Sequence, residues 1–204
     1  MKIAILGISG RVGSRIANEL LQRGHAITGI ARKTEGVAER PNLTLKAADA
    51  TSVDALVSLL RGHDAVISAT RFADGIDAAT LIAAAKRSGV PRVLVVGGAG
   101  SLEVAPGKAL VDTPDFPEAY KAEALAGRLF LDALRAEKDL DWTFLSPSAL
   151  FMPGERTGKF RLGGDGLLAD EKGKSWISME DYAIAMADEV ESPKHSRRRF
   201  TIGY

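Results

Sequence analysis

Apolar residues fall in two alternating patterns along this chain. Short continuous runs, suited to strands buried on both faces, are each followed by a stretch spaced for one face of a helix. The first run is Ile3-Ala4-Ile5-Leu6. The helix predicted over Ser14 to Arg23, with Val12 just before it, turns Val12, Ile16, Ala17, Leu20 and Leu21 to one side and Arg15, Glu19 and Arg23 outward. Gly24 then stops the helix. His25 to Ala31 predicts a second strand and Leu43 to Ala47 a third. Thr51 or Ser52 caps a helix with Leu56, Leu59 and Leu60 inward, ending at Gly62. Asp64 to Ala69 predicts a fourth strand, about Gly75 to Ser88 an alanine-rich helix, and Arg92 to Gly97 a fifth strand.

Beyond that the pattern loosens. Gly98 to Phe116 has no period, and a connection of that length is usually functional or mobile. Glu118 to Glu137 predicts a helix with Leu125, Leu129, Phe130 and Leu134 inward, and Asp141 to Ser146 a sixth strand. After Pro147, turn residues crowd together, which predicts an excursion over about 151–178 with short strands at Lys159–Leu162 and Lys174–Ile177. Ser178 caps a last helix to Val190, and Phe200 to Gly203 closes as a strand. This alternation predicts an α/β fold of Rossmann type. It is a doubly wound, mainly parallel sheet with helices on both faces, one unit over residues 1–204.

Charge and composition narrow the function classes. The formal net charge is +1, from 27 basic and 26 acidic side chains, which argues against a general nucleic-acid or anionic-membrane binder. The run Lys194-His195-Ser196-Arg197-Arg198-Arg199 reads as a solvated loop. There is no cysteine, so disulfides, thiolate catalysis and zinc–sulfur sites fall away. His25, His63 and His195 are scattered without ligand spacing, so no metal site is expected. No apolar run approaches the ~20 residues of a membrane span. The first run is too short for a signal peptide. A cytoplasmic monomer or homodimer is the expectation.

The chemistry starts at Gly7-x-x-Gly10-x-x-Gly13, placed between strand and helix as a dinucleotide-binding turn requires. Gly7 allows the tight turn, Gly10 a close approach of backbone to diphosphate, and Gly13 tight packing of helix on strand. The exposed N–H groups at the helix start favour phosphate. An NAD site needs an acid about 20 residues beyond the glycines for the ribose 2′-hydroxyl. Here the second strand ends Ala31-Arg32-Lys33-Thr34, and the guanidinium of Arg32 suits a 2′-phosphate. NADP(H) is therefore expected over NAD(H). Asp49, after the third strand, either accepts from the adenine amino group or caps the next helix. Ala69-Thr70-Arg71 ends the fourth strand, where small residues let a cofactor pass. Gly97-Gly98-Ala99-Gly100-Ser101 ends the fifth and is expected under the nicotinamide, with Ser101 the candidate catalytic hydroxyl.

These residues resemble the atypical short-chain dehydrogenase/reductase group, specifically its small NADH-flavin reductase-like and NmrA-like NAD(P)-binding members, relatives of biliverdin-IXβ/flavin reductases. The resemblance covers nearly the whole chain. It rests on residues 7–13, on Val95 to Leu102, on Leu145-Ser146-Pro147-Ser148, on Pro153 to Gly163 and on Trp176 to Ala183. It implies cofactor contacts from Ser9, Arg11, Val12, Arg32, Asp49, Ala69 and Thr70. It also implies a substrate over the nicotinamide near Ser101, Pro147 and Phe151. One departure matters. Short-chain dehydrogenases use a Tyr-x-x-x-Lys pair for proton transfer, but Tyr120 is followed by Ala124 and Tyr182 by Met186, while Tyr204 is the last residue given.

The leading expectation is a reductase passing hydride from NADPH to a flat acceptor, a flavin or quinone, that can take its proton from solvent. A second is an NADP(H)-sensing regulator of the NmrA-like type that signals to a partner without turnover. A third is an epimerase or dehydratase acting on a nucleotide sugar.

Overall fold

The structure is a computed structural model that describes all 204 residues. In chain order it holds β1 (Lys2–Leu6), α1 (Arg11–Gln22), β2 (Ala26–Ala31), β3 (Leu43–Ala47), α2 (Val53–Leu60), β4 (Ala65–Ser68), α3 (Ala78–Ser88) and β5 (Arg92–Val96). There follow β6 (Glu103–Ala105), β7 (Lys108–Ala109), α4 (Glu118–Ala136), β8 (Asp141–Pro147), β9 (Leu150–Met152), β10 (Arg161–Gly163), β11 (Trp176–Ser178), α5 (Met179–Glu191) and β12 (Arg198–Gly203).

Eight strands form one sheet in the order β10-β12-β8-β5-β4-β1-β2-β3, parallel throughout except for β10 against β12. From β1 the chain winds outward through β2 and β3, then returns to β4 and winds the other way. That reversal places a crevice at the carboxyl ends of β1 and β4, where doubly wound sheets bind ligands. The expected fold class is the observed one.

Two cores explain the continuous apolar runs. Alternate residues of β1 feed opposite faces: Ala4 and Leu6 face α2, α3 and α4, while Ile3 and Ile5 face α1 and α5. The first core is filled by Leu56, Leu81, Phe130, Trp142 and Phe144, the second by Ile16, Leu20, Tyr182, Met186 and Phe200. No helix is long and apolar enough to cross a membrane.

Several expectations shift. α1 begins at Arg11 rather than Ser14, because Gly10 takes the extended cap conformation and the glycine at 13 continues the helix. Glu19, expected outward, is 5% exposed, held by Arg23 and Arg156. Leu129, expected inward, is 69% exposed, because α4 buries the stripe Gly127, Phe130, Leu131 and Leu134 instead. α3 starts at Ala78 with Asp77 as its cap, its carboxylate accepting from Thr80 N–H at 2.7 Å. The stretch after Gly98 contains the β6–β7 hairpin. In the excursion, β9 and β11 pair in parallel as a separate two-stranded sheet, and β10 returns to the edge of the main one. The basic run is not wholly solvated. Its last member, Arg199, is buried in β12 on the carboxylate of Asp165.

Candidate functional site

A cleft of about 490 Å³ lies above β1, β2, β3 and β4. Gly7, Ser9, Gly10, Arg32, Asp49, Ala69, Thr70 and Arg71 all line it. The glycines shape it by sterics. Gly7 has φ +88°, and a Cβ there would lie 2.7 Å from the Ala69 carbonyl oxygen, so the turn off β1 and the end of β4 close up only on glycine. A Cβ on Gly13 would stand 2.2 Å from the Gly7 carbonyl oxygen. α1 therefore rides directly on the turn.

The cleft meets the start of α1. Gly10, its cap residue, supplies no side-chain hydrogen bond, and the first turn has no acid. The N–H groups of Arg11, Val12 and Gly13 precede the first intrahelical bond, from Ser14 N–H to the Gly10 carbonyl at 3.0 Å. Together with the helix dipole they form a cradle for an anionic group. Arg11, Arg32 and Lys33 are exposed at this end and enter no ion pair, and β2 ends without a carboxylate. Arg71, by contrast, is loosely tied to Asp74 at 3.4 Å and Glu123 at 3.7 Å. Asp49 is exposed in the cleft, and the helix after it is capped by Ser52 instead, whose hydroxyl accepts from Ala55 N–H at 3.3 Å. That leaves the Asp49 carboxylate open to a ligand. An anionic nucleotide with a phosphate at the Arg32 end fits these donors.

The loop after β5 lies outside this cleft. Gly97 is buried, its N–H donates to the Leu145 carbonyl at 2.8 Å, and a Cβ there would meet the Phe144 ring at 2.3 Å. It is a packing glycine. Gly98 has open space around it. Ser101 is half-buried. Phe151 is half-buried too, its ring 4.7 Å from that of Tyr182, while Pro147 is buried in β8 in register with Ile202. Pro147 thus presents almost no surface to a ligand.

No tyrosine stands in a proton-transfer pair. Tyr182 is wholly buried and its hydroxyl donates to the Leu145 carbonyl at 2.7 Å, and burial pushes its pKa well up. Tyr204 donates to Asp181 at 2.7 Å and burial raises it as well. Tyr120 is 67% exposed. One turn later, a Cβ on Gly100 would stand 2.6 Å from that of Ala124, so α4 presses on the β5 loop where the lysine of the pair would sit.

A strap over residues 153–160 joins the body of α1 to the start of α5. Glu180 accepts from Gly154 N–H at 2.7 Å and from Arg15 of α1 at 2.6 Å. Glu19 takes Arg156 through two bonds of 2.9 Å. Asp181, fully buried, accepts from Thr157 N–H at 2.7 Å, Gly158 N–H at 2.9 Å, the Thr157 hydroxyl and Tyr204. The bond from Arg156 holds Glu19 below the usual carboxylate range against its burial. Burial pushes Glu180 up, but Arg15 and Gly154 outweigh it and the group lies low. The three histidines serve elsewhere: His25 on Glu191, His63 on Thr28 and His195 on Glu189.

Asp74, Gly75 and Ile76 also line the cleft after β4, and no sequence signal marks them: Gly75 and Ile76 fall inside the stretch whose pattern predicts a helix, and Asp74 lies just before it. Arg199 is likewise unmarked, hidden in a run of basic residues.

Fold and cleft together define a nucleotide-binding Rossmann protein with an oxidoreductase-like fold. Residues 7–193 match the model of the family described as NAD(P)H-binding, and the chain belongs to that family. It is 48% identical to a "putative exported protein" from Burkholderia pseudomallei over the whole of both chains, with a TM-score of 0.91. It is 46% identical to a "putative epimerase" from Bacteroides thetaiotaomicron, covering 100% of this chain and 96% of that one, with a TM-score of 0.94. It is 36% identical to a "putative NADH-flavin reductase" from Streptococcus pneumoniae, covering 100% and 99%, with a TM-score of 0.85.

Proposed function

We propose that this chain is an NADPH-dependent reductase that passes a hydride to a planar acceptor of the flavin or quinone kind. The observation that carries the reading is that Tyr120 has Ala124 and Tyr182 has Met186 where the lysine of a proton-transfer pair would stand. Tyr182 and Tyr204 are moreover committed to structural bonds. A flat conjugated acceptor needs no proton-handling side chain, since water can supply the proton. An alcohol or a sugar carbon does need one, which disfavours the epimerase chemistry named for the Bacteroides relative. The Streptococcus relative's name agrees with the reductase reading.

The chain's own residues bind and orient. The N–H groups at the start of α1 hold the diphosphate, Arg32 with Lys33 takes the 2′-phosphate, and Asp49 accepts from the adenine amino group. NADPH, when bound, supplies the hydride. Ser101 offers a hydroxyl on the acceptor side.

Two measurements test this. Steady-state NADPH oxidation with FMN, FAD and quinones is expected to show acceptor-dependent turnover. Tight NADPH binding without turnover of any of them would replace this reading with that of a redox-sensing regulator, which needs no proton pair either. Second, Arg32→Ala is expected to weaken NADPH binding by about 1.5–3 kcal/mol, the range for a hydrogen bond to a charged group, while NADH binding barely changes. Titration calorimetry with both nucleotides checks it. Equal losses for the two would refute the 2′-phosphate assignment.

A further inference from the structure

β12 contains a residue its surroundings do not call for. The Arg199 side chain is 2% exposed and lies opposite Phe144 in the register of β8. Arginine is almost never buried without a partner for its charge. Its one carboxylate is Asp165, met by Nε at 2.7 Å and also by Nη2. Asp165 is itself 56% exposed and shared with Arg135, whose Nη2 is 3.1 Å away. Glu103 is the other acid whose charge acts on Arg199. The opposite edge of the guanidinium faces the loop after β5. Nη1 lies 3.5 Å from Ser101 Oγ and 3.5 Å from Ser146 Oγ, and Nη2 lies 3.5 Å from the Ser101 carbonyl oxygen. Nη1 has no nearer partner.

A guanidinium only donates. A hydroxyl beside it must therefore accept, and its own proton points away. Ser146 is fully buried and anchors the guanidinium from below, whereas Ser101 is half-buried and keeps an open side. Burial works against the charge of Arg199, and the same exclusion of water leaves its pull on Ser101 poorly screened.

We infer that Arg199 is a positioning residue for Ser101: its guanidinium engages the Ser101 oxygen and so fixes the hydroxyl as a donor toward the acceptor, and it acts on the charge that gathers there only through that hydroxyl. The inference rests on the reductase reading above. The acceptor gains a hydride, two electrons with one proton, and so one negative charge. A proton from water then neutralises it, and the nicotinamide is left oxidised. The negative charge is what a fixed hydroxyl backed by a cation stabilises. A purely structural Arg199 would only tie residues 163–166 to the sheet through Asp165.

A double-mutant cycle separates the two roles. Ser101→Ala, Arg199→Met and the double variant are compared for FMN binding by fluorescence quenching, for NADPH binding, and for kcat with FMN, or with menadione where FMN is not turned over. Each single variant is expected to lower kcat about ten- to a hundredfold and to weaken FMN binding about fivefold, the share of one hydrogen bond. NADPH binding stays unchanged. The double variant is expected to be no worse than Ser101→Ala alone. Losses that multiply in the double variant would overturn the inference and leave Arg199 a structural residue. If Arg199→Met does not fold, Arg199→Lys enters the same cycle; it keeps the charge without the fork, so a smaller loss, again absent beside Ser101→Ala, is expected. Full activity of Ser101→Ala would instead overturn the placement of Ser101, a different result. A wild-type protein that neither binds nor turns over an acceptor would overturn both.

Discussion

Gly13→Ala is expected to lower the melting temperature by about 10 °C and to weaken NADPH binding more than tenfold. The added methyl would stand 2.2 Å from the Gly7 carbonyl oxygen and 3.0 Å from the carbon behind it. Both atoms belong to the Gly7 backbone in the turn, so no flexible side chain can give way. Either α1 moves off β1 or the turn deforms. Overpacking of this kind costs about 3 kcal/mol, and each kcal/mol moves the midpoint by about 2–4 °C at this chain length. Binding suffers as well, because the displaced helix carries the N–H groups of Arg11, Val12 and Gly13 away from the cleft. Gly164→Ala, in the turn after β10, is the control, since a Cβ there meets nothing within 4 Å. Thermal melts and nucleotide titrations on the two variants decide the matter. A Gly13→Ala protein melting within a degree or two of the parent would remove the steric argument.

The second large effect is expected at Asp181. Its buried carboxylate accepts two backbone N–H groups and two hydroxyls, which together pin the strap and Tyr204. Asp181→Ala removes an acceptor from all four donors: the Thr157 and Gly158 N–H groups lose their partner, while the Tyr204 hydroxyl keeps Ser178 Oγ at 2.9 Å and the Thr157 hydroxyl the Lys159 carbonyl at 3.3 Å. Leaving buried donors unpaired costs about 1–3 kcal/mol each where water cannot reach them; with Thr157 and Gly158 exposed, a total of about 3 kcal/mol is expected. The strap should also come loose. Trypsin is expected to cut native Asp181→Ala after Arg156 or Lys159 while sparing the parent. Asp181→Asn keeps one acceptor oxygen and should fall between the two. Identical digestion patterns for parent and Asp181→Ala would show that the strap is held by Glu19 and Glu180 alone.

The parts legible in the sequence were those fixed by neighbours in the chain. β1, the glycine turn and α1 follow one another within Lys2 to Gln22, and the alternation of Ile3, Ala4, Ile5 and Leu6 between two cores explains why the run is unbroken. Arg32 and Asp49 could be picked out because each follows a strand at the crevice end. What stayed hidden depends on distant partners. Glu19 looks like an outward helix residue until Arg156, 137 positions on, folds over it. β9 is three residues long and pairs only with β11, which leaves no periodic signal. Arg199 sits among basic residues, and only Asp165, 34 positions away, reveals that it is buried. Gly97 shares its type with Gly98 but packs on Phe144, a contact no spacing reveals.

The close seating of α4 on Gly100 sets what the β5 loop can tolerate. A Cβ at position 100 would stand 2.6 Å from that of Ala124 and 3.3 Å from its Cα. Position 100 is therefore closed to any residue but glycine unless α4 lifts off the loop, and a helix that lifts there would release the segment that carries Ser101, the next residue along.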